Sequence, residues 1–373
     1  MSEHPSKRKR IIHMSSVHRD RDVRIFLKEC RSLATLFPDF EVHLVLAGVK
    51  DRCEENVHIH SVPKETGSRL KRMWTTVNHI YRKAKELDGD IYHLHDPELM
   101  RIALKLKRKG KIVIYDAHED LPRQIMGKSY VPMKKIVASV MERIENVICA
   151  RLSGIITATP HIARRFEKIN THTIDINNFP LENEIEILGE STLKKENMVC
   201  FIGGISPIRG TKELVDAMSL TNSKLALAGE IPSDFKAQLS ESEGWKNVEE
   251  LGFIDREKSM RIKQKSIAGM VTFLPYPNHI NAQPNKIFEY MAAGLPVIGS
   301  NFPMWRELLV DNHCGMCVDP TNPKEIAEAI NFLINNPNEA EKMGRNGKKL
   351  VSQTYNWNAE EVKLYRFYQS LMG

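Results

Sequence analysis

Short apolar runs bounded by turn residues recur along the whole chain, each followed by a longer stretch of helical period. That alternation predicts parallel strands joined by crossover helices, and hence an α/β fold. In the first half the predicted strands are 11–14, 42–46, 57–60, 91–94, 112–115, 155–158 and 173–176, with helices over 23–36, 70–87, 99–107 and 133–152. From 177 to 197 the chain has Pro, Gly and charge clusters but no apolar run of strand length, which predicts a linker over 181–197. A second series of strands follows at 198–202, 225–228, 248–251, 269–273, 296–298 and 316–318, and three helices close the chain near 323–335, 338–354 and 358–372. Two doubly wound domains are expected, over 1–180 and 198–355. A terminal helix over 356–373 is a candidate to pack back on the first. Such sheets bind ligands outside the carboxyl ends of their strands, so the expected site is a crevice between the domains.

Length and composition agree with that division. A chain of 373 residues is too long for one ordinary core, and 42% apolar with 27% charged residues is the balance of a globular protein. No run approaches the roughly 18 apolar residues of a membrane span. The opening MSEHPSKRKR lacks the apolar core of a secretory signal, which predicts a cytoplasmic location. Six scattered cysteines then read as reduced thiols. Cys314 and Cys317 form a CxxC beside His313 but have no second pair, so they read as a turn entering a strand rather than as a metal or redox site.

Charge is distributed unevenly. Residues 1–180 hold 33 Lys and Arg against 22 Asp and Glu, and residues 181–373 hold 21 against 25. The first half therefore expects an anionic partner, whether a membrane surface, a lipid-linked phosphate or nucleic acid. Nucleic acid is disfavoured, because the basic residues are not interleaved with aromatic stacking positions. An anionic membrane surface is the better candidate, met by Lys7, Arg8, Lys9 and Arg10, by the run Lys105, Lys107, Arg108, Lys109 and Lys111, and by Lys128, Lys134 and Lys135. No aromatic-rich amphipathic helix accompanies them.

The second domain opens with CFIGGISPIRGTKEL. Gly203 and Gly204 permit a tight turn after the strand, and Arg209 precedes a helix whose amino end carries partial positive charge. Such a turn accepts a phosphate. Further on, the segment from Asn281 to Leu308 reads NAQPNKIFEYMAAGLPVIGSNFPMWREL, with a helix of Lys286–Ala293 delimited by Pro284 and Gly294. There Asn285 and Lys286 would meet phosphate oxygens.

This segment resembles the donor-site signature of glycosyltransferase family 4, retaining enzymes of GT-B fold, in the form found in bacterial surface-polysaccharide transferases. The resemblance implies two facing Rossmann-like domains, the first on the acceptor side and the second binding a nucleotide sugar. It implies that Glu289 binds the ribose hydroxyls. The family's other glutamate, eight positions earlier, is Asn281 here, an amide that can hydrogen-bond to sugar hydroxyls but carries no charge. In the first domain SSVHRDRDVRIF, IYHLHDPELM and IYDAHEDLPRQI place a histidine and an acid after three successive strands: His18 with Asp20, His95 with Asp96, and His118 with Glu119. His118 is the catalytic candidate, matching a histidine that family members place against the donor sugar. His18, His95 and Asp96 are acceptor-side candidates.

The expected reaction moves a sugar from a nucleotide diphosphate, UDP favoured over GDP, onto a hydroxyl of a glycan or lipid-linked acceptor. Arg209 and Lys286 stabilise the leaving diphosphate. No cofactor is expected: the first loop lacks the GxGxxG of a nicotinamide site, and Asp88-Gly89-Asp90, the nearest match to a metal-holding Asp-x-Asp, precedes its strand and reads as a turn. The reaction is thus expected to be metal-independent. Two other readings fit the pattern, a sugar-nucleotide epimerase of the same fold and a non-catalytic sugar-nucleotide-binding subunit.

Overall fold

The computed structural model describes residues 8–65, 69–127, 131–187 and 194–373. The chain forms two compact units, one running to Asn178 and completed by Asn358–Gly373, the other Phe179–Trp357.

The first unit carries β1 (Lys9–Met14), β2 (Phe40–Ala47), β3 (Arg52–Glu54), β4 (Val57–Val62), β5 (Ile91–Leu94), β6 (Ile112–Ala117), β7 (Gly154–Thr157) and β8 (Thr173–Asp175). They form one sheet in the order β3-β4-β2-β1-β5-β6-β7-β8. Every pairing is parallel except that of the edge strand β3 with β4. The strand order reverses between β1 and β5, the switch point at which an open parallel sheet leaves room for a ligand. Strand alternation sends Ile12, Met14, Tyr92 and Leu94 into a core with Val77, Ile80, Ile102 and Leu106. His13 and His93 are paired in register and occupy the opposite face.

Over that opposite face lies Val23–Cys30, which is wound as a π-helix before continuing as the α-helix Arg31–Leu36. Asp22 Oδ1 caps it, accepting from the Arg24 and Ile25 amides at 2.9 Å each. A π turn bonds residues five apart, and it turns both Arg24 and Glu29 inward. The terminal helix Trp357–Met372 packs on the same unit: Glu360 Oε2 accepts from the Asn177 amide at 2.7 Å, and the Tyr368 hydroxyl lies 2.8 Å from His93 Nδ1.

The second unit carries β9 (Met198–Ile202), β10 (Lys224–Ala228), β11 (Val248–Gly252), β12 (Ala268–Val271), β13 (Val297–Ser300) and β14 (Gly315–Val318), all parallel in the order β11-β10-β9-β12-β13-β14. Its switch point lies between β9 and β12. The expected linker is corrected here. Phe179 packs edge-on to Phe288 and Tyr355, Glu182–Ile187 is a short helix with Ile185 buried in the second core, and Arg256 pairs with Glu184 at 2.6 Å. Residues 188–193 of that linker lie outside the described residues.

Candidate active site

In the second unit the loop after β9 and the helix Asn285–Ala292 meet at the switch point. Ile202 donates its amide to the Tyr290 hydroxyl at 3.0 Å, which ties the helix to the end of β9. That contact holds Lys286 against the glycine turn. Gly203 has φ +120°, a conformation that requires glycine, and a Cβ there would come within 2.7 Å of Lys286 Cε and displace the end of that side chain. Arg209 ends the short 3₁₀ turn Pro207–Arg209, donates to the Gly204 carbonyl at 3.2 Å and sits 5.3 Å over the Phe273 ring. Gly210, at φ +67°, follows because a Cβ would collide with the Thr272 carbonyl oxygen 1.8 Å away.

Lys286 is the unusual member. Its Nζ is buried, rests 4.0 Å above the Phe201 ring and makes no hydrogen bond among the described residues. Burial, and then the neighbouring Arg209 charge, lower its pKa to about 7. Two cations therefore stand side by side at this glycine turn. One turn further along the helix, Glu289 Oε2 accepts from the buried Lys263 Nζ at 2.9 Å, leaving the carboxylate half exposed.

In the first unit the side chains converge on Asp116, at the end of β6. Its Oδ1 accepts from Arg24 Nη2 at 2.7 Å and its Oδ2 from Arg24 Nε at 2.9 Å. His118 Nε2 lies 2.8 Å and His95 Nδ1 3.2 Å from Oδ2. Against the penalty of burial, Arg24 and then His118 hold the Asp116 carboxyl well below its usual range. His95 is buried, which pushes its pKa down to about 4 despite Asp116, so its ring is neutral. His118 is the partly open member, its side chain 20% exposed.

Residues 183–350 match the family model for glycosyl transferases group 1, and residues 29–176 match that for glycosyltransferase family 4. The chain belongs to glycosyltransferase family 4. It is 24% identical over 294 residues to the D-rhamnosyltransferase WbpZ of Pseudomonas aeruginosa, an alignment covering 74% of this chain and 73% of WbpZ. Among solved structures it resembles the sucrose-phosphate synthase of Thermosynechococcus elongatus, with TM-score 0.77 and 16% identity over 98% of this chain and 99% of that one. It also resembles Anabaena HepE crystallised with UDP-glucose, with TM-score 0.72 and 16% identity over 97% and 99% of the two chains. These likenesses establish the GT-B fold, and the chain is a glycosyltransferase.

Within this family member, Gly203, Gly204, Arg209 and Lys286 come together as one cationic turn. Asn285 is exposed as the first residue of its helix, and Asn281 is exposed at the end of the turn before it. The histidine–acid pairings expected from adjacency in sequence are corrected. Asp20 pairs with Arg52, and His18 instead faces Asp96 at 3.1 Å. Glu119 bonds Gln124 at the surface, and His118, in the bend just after β6, takes Asp116 near the end of that strand. Asp96 is also corrected as an acceptor-side group. It is buried, its Oδ2 accepts from the Ser16 amide at 2.5 Å and the Ser15 hydroxyl at 2.9 Å, and it clamps the loop after β1. His95 is likewise buried rather than presented to an acceptor.

Sequence reasoning missed Arg24, Glu29 and Asp116, which pair across strands and helices, and Lys263, one cation among many in its helix. Asp88 and Asp90 hold the turn into β5, bonded to Lys111 Nζ and the Arg10 amide.

Proposed function

We propose that this glycosyltransferase moves a sugar from a UDP-sugar, in preference to a GDP-sugar, to a hydroxyl of a glycan or lipid-linked acceptor in surface-polysaccharide synthesis, with retention of configuration. The observation that carries this reading is the buried, acceptor-less ammonium of Lys286 packed on Gly203 beside Arg209. Two cations around a glycine turn match the charge that a departing diphosphate gains, and a low-dielectric site strengthens that match. The cations neutralise the diphosphate without a divalent ion. The name of WbpZ as a rhamnosyltransferase and the UDP-glucose held by HepE support a nucleotide-sugar donor. In the first unit, His118 acts on the donor sugar, oriented through Nε2 by Asp116.

A thermal-shift screen of UDP- and GDP-sugars tests the donor assignment. A donor at 100 times its dissociation constant stabilises by about 2.7 kcal/mol, and the shift is expected with UDP-sugars. A response confined to GDP-sugars contradicts the base preference, and none with either contradicts the donor reading.

Glu289 is the group we assign to the ribose hydroxyls. Glu289→Gln is expected to weaken UDP binding by about 1.5–3 kcal/mol, because hydrogen bonds to a charged acceptor are worth roughly that much. Calorimetric titration of UDP measures it, and equal affinity in variant and parent removes the assignment.

The acceptor side of this reading is a membrane surface. No helix among the described residues is long and apolar enough to cross a membrane. The helix Lys134–Cys149, however, turns a row of apolar side chains to the surface. Its buried face includes Glu145, paired with Arg165, whereas Ile136, Val137, Val140, Ile144 and Val147, preceded by Met133, form an exposed stripe at helical spacing. Exposed Lys135 and Arg143 lie on the same helix, and exposed Lys105, Arg108 and Lys109 lie on or just after the helix packed beside it. Lys107 and Lys111 are instead bonded to Ser153 and Asp88, and Lys7 and Lys128 lie outside the described residues. An apolar stripe with basic neighbours suits the interface of an anionic leaflet. Co-sedimentation with anionic vesicles is expected to fall with salt and to be lost in Ile136→Ser/Val140→Ser/Ile144→Ser. Binding unchanged by those substitutions contradicts this surface.

A further inference from the structure

The paired residues His13 and His93, together with His95 two residues on, place three imidazoles beneath the π turn that carries Glu29. All four side chains are buried, and one donor atom from each lies within 4.8 Å of the others. Glu29 Oε2 is 3.9 Å from His93 Nε2 and 4.0 Å from His95 Nε2, and His13 Nδ1 is 2.9 Å from His95 Nε2. His13 Nε2 and His93 Nε2 make no hydrogen bond among the described residues, and the Glu29 carboxyl has Arg24 Nε 3.1 Å from Oε1 and the Asp116 carboxyl beside it. Polar atoms buried in this way are destabilising unless something meets them.

The outer nitrogens of two of these rings are already held. His93 Nδ1 meets the Tyr368 hydroxyl at 2.8 Å and His95 Nδ1 meets Asp116 Oδ2 at 3.2 Å, which leaves His93 Nε2 facing Glu29 and His95 Nε2 facing both His13 Nδ1 and Glu29. An oxygen fixing the far nitrogen of each ring is the outer shell that metal-ligating histidines have. Burial keeps His13 and His93 neutral, the form that ligates. The geometry points to a structural divalent-cation site, of the zinc class, formed by His13, Glu29, His93 and His95. A tetrahedral zinc with bonds of about 2.0–2.1 Å sets its donors about 3.4 Å apart, so the two Glu29–histidine separations close by about 0.5 Å and the His13–His95 separation opens by about as much. This departs from the sequence expectation of no metal, which considered only residues adjacent in the chain. It is separate from the cationic turn that meets the diphosphate. The ion joins β1, β5 and the π turn, and through His93–Tyr368 it also anchors the terminal helix.

The test is metal content by mass spectrometry on full-length protein purified without chelator, with cobalt(II) substitution as a second measurement. About one zinc per chain is expected, or, after metal stripping, uptake of one cobalt with the intense visible bands of a tetrahedral site. Zinc is expected to raise the Tm of stripped protein by at least about 5 °C. Glu29→Gln keeps the side chain's volume and is expected to lose both the metal and the zinc-dependent rise. Wild-type protein that holds no zinc, shows no zinc-dependent Tm and gives no cobalt bands overturns the proposal. Stoichiometric metal retained by a folded Glu29→Gln variant overturns the ligand assignment. If that variant does not fold, the cobalt spectrum of the wild type decides.

Discussion

Lys286→Met is expected to reduce turnover by two to three orders of magnitude while making the ligand-free protein more stable. Removing one preorganised group aimed at developing charge commonly lowers kcat by about 10²–10³. The stability gain follows from linkage. The Lys286 pKa falls from 10.5 to about 7 on folding, so between those values the unfolded chain holds a proton that the folded chain lacks. Stability therefore rises with pH across that window, and the destabilisation by Lys286 is largest below pH 7, where the folded protein carries the buried ammonium. At roughly 1.4 kcal/mol per pKa unit that destabilisation is on the order of 4–5 kcal/mol. The methionine variant should melt well above the parent at pH 6, and the two should converge near pH 10. Nucleotide binding at pH 8 should also take up a proton, because the diphosphate restores the ammonium. Parent-like turnover, or a Tm difference independent of pH, contradicts the assignment.

Asp116→Asn is expected to be the most destabilising polar substitution in the first unit. Arg24 is 5% exposed and has both arms of the Asp116 carboxylate, with Glu29 as its other acid. Glu29 compensates only in part: burial and then the Asp116 charge push its carboxyl well above the usual range, and the burial persists in the variant. Removing one partner of a buried ion pair costs about 3–5 kcal/mol, chiefly because the other charge stays buried. Arg24→Met combined with Asp116→Leu removes both charges and should recover much of that loss. Calorimetric unfolding of the single and double variants measures it. An Asn variant as stable as the parent, or a double variant no better than the single, refutes this account of the ion pair. His118 loses its orienting acid in the same variant, so activity should fall even at temperatures where the protein is folded.

The strands of both sheets were legible in the sequence because parallel strands buried on both faces are continuous apolar runs. β5 and β9 occupy the predicted positions, and most other strands differ from theirs by one or two residues at an end. β3 was missed because Arg-Cys-Glu, three residues on an edge, is too short a run to show alternation. The helix Leu121–Met126 was missed because six residues are too few to show a period. The cationic turn was legible because its parts are local, a strand followed by glycines and a helix preceded by proline. The histidine network was not. Its pairings depend on β1, β5 and β6 lying side by side, which the sheet order decides and adjacency in sequence cannot. The helix Lys134–Cys149 shows a further limit: its apolar spacing was visible, but periodicity does not say which face is turned to solvent.

If the glycine turn of the second unit holds the donor diphosphate between Lys286 and Arg209, a crystal structure of the protein with UDP will show it. Phosphate oxygens are expected about 2.7–3.2 Å from Lys286 Nζ and from the Arg209 guanidinium, with the ribose hydroxyls on Glu289. UDP bound with Lys286 still lacking an anionic partner, or with its phosphates away from Gly203 and Gly204, would contradict it.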